Sequence, residues 1–105
     1  MRRQEIRQSL IFHHGQVGRI IISHHAEARF LESRCPISRA SREKKLSIMG
    51  NSLSRSRECA CPKQNTTQGL YDSQLRLLYV LNENTGVVVT VLDKIAAQEV
   101  EVFAD

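Results

Sequence analysis

The chain reads as an α+β domain, with two helices in its first half packed on one face of a small antiparallel sheet. Three observations predict this. The β-branched run Ile20-Ile21-Ile22 stops at Ser23, where helical periodicity begins. A second stretch with helical spacing follows Pro36. Late in the chain, two apolar runs flank a short Gly-ended loop. Helices first and a β-meander afterwards give an α+β plan. With 105 residues, no repeat and no linker-like stretch, residues 1–105 form a single domain.

The elements follow in order. Gln8–His14 and Arg19–Ser23 are extended runs around Gly15-Gln16-Val17-Gly18, which is a hairpin signal. Met1–Arg7 either precedes that hairpin as coil or forms a short polar helix. His24–Arg34 is the first helix, capped by Ser23 and stopped at Cys35-Pro36, because proline cannot continue a helix and restricts the residue before it. Ser38 caps a second helix over Arg39–Met49, ended by Gly50-Asn51. Its apolar set is sparse (Ala40, Leu46, Ile48, Met49), so it belongs on the surface. Arg57–Cys61 is a short strand and Pro62–Gly69 a loop. Leu75–Leu81 and Val87–Leu92 are strands, apolar on both faces and hence central. The loop Asn82–Gly86 fits a turn closed by a left-handed residue. Their second face needs cover, from the tail or from a second subunit. The tail itself forms a strand around Val100–Phe103 or a short helix through Ile95–Glu99.

Charge divides the chain. Residues 1–57 hold 12 Lys and Arg against 4 Asp and Glu, whereas residues 58–105 hold 3 against 7. A basic half attracts phosphate backbones irrespective of sequence, and it equally solvates a pair of amphipathic helices. The cysteine count is odd, no secretory signal opens the chain and no apolar run would span a bilayer, so a reducing cytoplasm is the expected location.

The histidine and arginine pattern of the first helix carries the chemistry. On a helical wheel His25, Arg29 and Glu32 share one face, opposite Ala26 and Phe30. An imidazole titrates near neutrality and serves as base or acid, and a guanidinium grips phosphate oxygens. The bland alternative has His25 bonded to the sheet and Arg29 paired with Glu32 or Glu27. His13-His14 would complete a two-histidine site if the first strand lies beside the helix; a pair near a turn more often faces solvent. Arg34 lies about 140° from Arg29 on the wheel, which suits an anchor for loop carbonyls. Cys35, Cys59 and Cys61 with His24 or His25 would supply zinc ligand types, but Cys59-Ala60-Cys61 lacks the common knuckle spacing, and buried thiols explain it as well. No nucleotide-binding glycine loop or zincin motif is present, so no cofactor or metal is required.

Ser23-His24-His25-Ala26-Glu27-Ala28-Arg29, continuing to Arg34, resembles the S-x-H-A-x-x-R-x-x-x-x-R signature of a small bacterial and phage family. Pro36-Ile37-Ser38 and the late Val88-Val89-Thr90-Val91 resemble further parts of it, whereas Cys35-Pro36 stands where members usually have Gly. That family is grouped with RelE/ParE-type toxins in the barnase–EndoU–colicin–RelE assembly of ribonucleases. The resemblance implies an RNA-cleaving toxin from a bacterium, phage or mobile element, with His25 and Arg29 catalytic. Thr90 and Tyr79 become phosphate contacts from the sheet, and Arg42, Lys44 and Lys45 a steering patch. The partner is then RNA or a ribonucleoprotein. Two other readings compete: a non-catalytic phage or mobile-element protein that binds and inhibits a bacterial protein, and a basic nucleic-acid-binding accessory protein; a homodimer is compatible with any of them.

Overall fold

The computed structural model describes residues 10–32, 41–60, 67–82 and 84–102. It is an α+β structure in which seven strands form one sheet of order β1-β2-β6-β5-β4-β3-β7. β1 (Leu10–His14) and β2 (Gly18–Ile22) make the expected antiparallel hairpin. α1 (His24–Glu32) leaves β2 at Ser23, whose Oγ accepts from the Ala26 N–H at 3.0 Å.

α2 (Arg42–Arg55) differs from the expected second helix. Ser41 is its N-cap, and Ser38 lies outside the described residues. The helix runs through Gly50-Asn51 rather than ending there. Gly50 is needed for close approach instead of termination: a Cβ there would stand 3.1 Å from the Phe12 ring of β1. The extra turn brings Ser52 and Leu53 into the interior beside Met49, so α2 is a core helix and not a surface one.

β3 (Arg57–Ala60) matches the expected short strand. β4 (Thr67–Asp72) occupies sequence read as loop through Gly69; its polar residues hide six pairs with β5 (Leu77–Asn82). β5 pairs antiparallel with β6 (Val87–Leu92), and Gly86 closes the loop between them at φ +76°, with its N–H on the Asn82 carbonyl at 2.8 Å. The sheet is mixed, not antiparallel throughout, because β2 pairs parallel with β6 at Ile21–Val87 and Ile22–Val88. The two helices carry the chain back between β2 and the meander, which allows this parallel contact.

One cluster unites Ala26 and Phe30 of α1, Met49 and Leu53 of α2, and Ile20, Leu70, Leu77, Tyr79, Val88 and Val91 of the sheet. Strand alternation sends Leu78 to a second cluster with Cys59 and Tyr71, against which Leu92, Ile95 and Val100 pack. The tail therefore supplies the second-face cover, as a 3-10 turn at Ala97–Glu99 and then β7 (Glu101–Val102) beside β3. Cover is incomplete toward β1 and β6, where Ile11 is 49% and Val89 39% exposed. Val89 is the extra residue of a bulge, since Val80 pairs with Thr90 and Leu81 with Val88. The bulge explains how Val88 and Val91, three apart, both reach the main core.

Candidate functional site

α1 is set against β6 by its own cap. The Ser23 N–H donates to the Val88 carbonyl at 3.1 Å, and the Ser23 hydroxyl donates to Val89 at 3.3 Å. Ala26 and Phe30 then point inward, which leaves His25, Arg29 and Glu32 exposed along the outer face. At the far end of β6 that face meets Asp93. Arg29, Glu32, Val91 and Asp93 line an open hollow of about 100 Å³, with room for several waters or one phosphoryl group.

Among the described residues, the charges around this hollow are uncommitted. Glu27, the carboxylate nearest in sequence to Arg29, is buried and pairs with Arg42. Among the described residues Arg29, Glu32 and Asp93 form no ion pair, and His25 makes no hydrogen bond. The bland expectation that Arg29 pairs with a helix carboxylate and His25 bonds the sheet is therefore not met. A guanidinium and two carboxylates at one hollow, with an imidazole about 6 Å back along the helix axis, can bind a phosphate oxygen and move a proton.

The other sequence-predicted residues are distributed elsewhere. Tyr79 is 0% exposed, and its hydroxyl donates to Ser52 Oγ at 2.8 Å, so it offers nothing to a surface ligand. Thr90 is half-buried opposite Val80, on the sheet face away from Tyr79, and does not line the hollow. Arg42 is spent on Glu27. Lys45 Nζ donates to the Leu31 carbonyl at 3.1 Å, where it ties α2 to the C-terminal turn of α1. Lys44 remains exposed.

The two hairpin histidines part company. His13 is exposed. His14 is buried, with Nδ1 accepting from the Gln16 N–H at 3.0 Å and Nε2 donating to the Ser56 carbonyl at 2.8 Å. It is a structural link between the hairpin and the end of α2. Cys59 is a buried thiol in the second cluster, whereas Cys35, Cys61 and Arg34 lie outside the described residues. Among the described residues no three His, Cys, Asp or Glu side chains gather as a metal site, and no helix is long and apolar enough to cross a membrane.

Sequence reasoning missed two features. Asp93 escaped because it follows a strand as an isolated carboxylate, with no spacing to tie it to Arg29. The second is a polar cluster in which the buried Ser52, Asp72 and Tyr79 meet the partly exposed Arg55. Arg55 donates twice to Asp72, Nε to Oδ1 and Nη2 to Oδ2, each at 2.9 Å, while Ser52 Oγ and the Gln74 N–H supply further bonds. Burial pushes the Asp72 carboxyl up, but these hydrogen bonds outweigh it and hold the group below the usual carboxylate range.

Fold and site together define an α+β protein with an open, charged hollow where a helix meets the end of a strand. No protein-family model, curated protein or solved structure matches the chain.

Proposed function

We propose that this protein is a RelE/ParE-like, metal-independent endoribonuclease of the toxin type, with both helices on one face of the sheet and the hollow beside Arg29 as its reaction site. The observation that carries the reading is the guanidinium of Arg29, which has no ion pair among the described residues and shares the hollow with the Glu32 and Asp93 carboxylates. In the reaction a ribose 2′-oxygen attacks the adjacent phosphorus and its proton passes to a carboxylate of the hollow. Arg29 holds the non-bridging oxygens as charge builds on them. The bond from phosphorus to the 5′-oxygen breaks, His25 protonates that oxygen, and a 2′,3′-cyclic phosphate remains. Lys44, exposed on α2, is the cation that steers RNA to the site.

The test is induced expression in a bacterial host of wild type, His25→Ala and Arg29→Ala, with growth and total RNA followed together. Growth arrest with RNA breakdown in the wild type alone is the expected result. Normal growth and intact RNA in cells that accumulate folded wild-type protein overturn the reading.

A second reading has its own observation. Ile11, which alternates away from the core-facing Leu10 and Phe12, and Val89 at the β6 bulge are exposed apolar side chains. A protein-binding module would bury them. It predicts a co-purifying partner and indifference to both substitutions.

A further inference from the structure

Beyond the Asp93 end of β6, two loops carry long cations on a backbone that such residues rarely adopt. Arg76, ending the turn between β4 and β5, has φ +56°, and Lys94, just after β6, has φ +59°. Left-handed backbone suits glycine; for a residue with a Cβ it costs on the order of 1–2 kcal/mol. Both segments are pinned there. The Ile95 N–H donates to the Arg76 carbonyl at 3.0 Å, and the Ile95 carbonyl accepts from the Tyr71 hydroxyl at 2.6 Å. The turn holding Arg76 is fastened by the Gln74 N–H on Asp72. Both side chains are exposed, and among the described residues neither has an ion-pair partner.

Position makes the pair more than two surface cations. Lys94 directly follows Asp93 of the hollow, and Arg76 is hydrogen-bonded to the residue after Lys94. Along the backbone, Asp93 of the hollow, Lys94 and Arg76 therefore lie in succession. Neither side chain covers the core, so fold stability gives no reason for cations where glycine fits better. Backbone strain held in place by surrounding bonds clusters at binding and active sites. Resting on the ribonuclease reading, we infer that Lys94 and Arg76 form a second phosphate subsite. The substrate is then a single-stranded RNA whose backbone continues past the hollow onto these loops.

The experiment separates binding from cleavage. Binding is read by fluorescence anisotropy on labelled oligodeoxythymidylate, which carries the phosphates but lacks the 2′-hydroxyl that cleavage needs, across a range of salt. Arg76→Gly and Lys94→Gly each weaken binding roughly fivefold and lower the salt slope by about 0.7, one phosphate contact on a single strand. Their melting temperatures hold or rise, because the left-handed backbone is relieved. Arg76→Gln and Lys94→Gln, which keep side-chain length, give the same loss of binding. Arg19→Ala removes an exposed cation near Gly86, at the opposite end of β6, and changes binding less than about twofold. The subsite is overturned if the wild type does not bind, if the Gly and Gln variants bind as tightly as wild type, or if Arg19→Ala weakens binding as much as they do. Cleavage of oligouridylate by wild type and Arg29→Ala judges the ribonuclease reading separately. Binding that depends on Arg76 and Lys94 without cleavage leaves the subsite standing and removes the reaction. Cleavage indifferent to Arg76 and Lys94 does the reverse.

Discussion

The guanidinium of Arg55 lies edge-on against the carboxylate of Asp72, with two parallel bonds of 2.9 Å fastening the last turn of α2 to the end of β4. Asp72 is 1% exposed in its side chain and Arg55 about a third, so the pair is buried on its acidic side only. Removing Arg55 leaves a desolvated carboxylate with a reduced set of donors. Arg55→Ala should cost roughly 2–3 kcal/mol, the buried-pair penalty reduced for the solvent already reaching Arg55. Denaturant unfolding checks it.

The same pair predicts an acid limit. Burial alone raises the Asp72 carboxyl, but the bonds from Arg55, Ser52 and Gln74 prevail and its folded value is depressed. A depressed carboxylate stabilises the fold fully above its unfolded value near 3.9, and that contribution is lost as pH falls through the lower folded value. Thermal unfolding of wild type and Asp72→Asn should therefore differ most at neutral pH and converge in strong acid. A gap that widens on acidification would contradict the assignment.

Tyr79→Phe separates a structural tyrosine from a catalytic one. It removes the buried hydroxyl bond to Ser52, worth about 1 kcal/mol, and leaves the surface untouched. Stability falls by that amount, and RNA cleavage by folded protein is unchanged.

Arg29 and His25 should behave in the opposite way. Both are exposed, and neither supports a neighbour within the described structure. Their alanine variants should unfold within about 0.5 kcal/mol of wild type. Cleavage should nevertheless fall by roughly 10²–10⁴-fold for His25→Ala. A quantitative oligouridylate assay on melting-matched protein reads both.

The adjacent histidines give a further contrast. His14→Ala strands the Ser56 carbonyl and the Gln16 N–H, at a cost of about 1–3 kcal/mol, whereas His13→Ala is close to neutral. Paired melts of the two variants are sufficient.

These contrasts show which parts of the molecule were legible in its residues. The hairpin, the Ser23 cap and the β5–β6 pair were readable because local chemistry dictates them: a Gly turn, a hydroxyl ahead of a helix, and continuous apolar runs. The length of α2 was hidden because Gly50 carries a termination signal that packing against Phe12 overrides. β4 was hidden because its partner strand, not its own composition, makes it a strand. The parallel pairing of β2 with β6 has no local signature at all. At the site, the face shared by His25, Arg29 and Glu32 followed from helical spacing alone. Which carboxylates Arg29 would meet did not, because Glu27 turns inward to Arg42 and Asp93 arrives from the other end of the chain.

The contact between β2 and β6 also sets an order of events. The hairpin β1–β2 and the meander from β3 to β6 each close through neighbours in sequence, while joining them requires Ser23 to find Val89, 66 positions away. Closing so long a loop is entropically the most demanding step and comes after the local pairings. The hollow has Arg29 on one side of that seam and Asp93 on the other. A chain that has formed its hairpin and first helix therefore still lacks the hollow, which closes only when β6 docks on β2 and brings Asp93 beside α1.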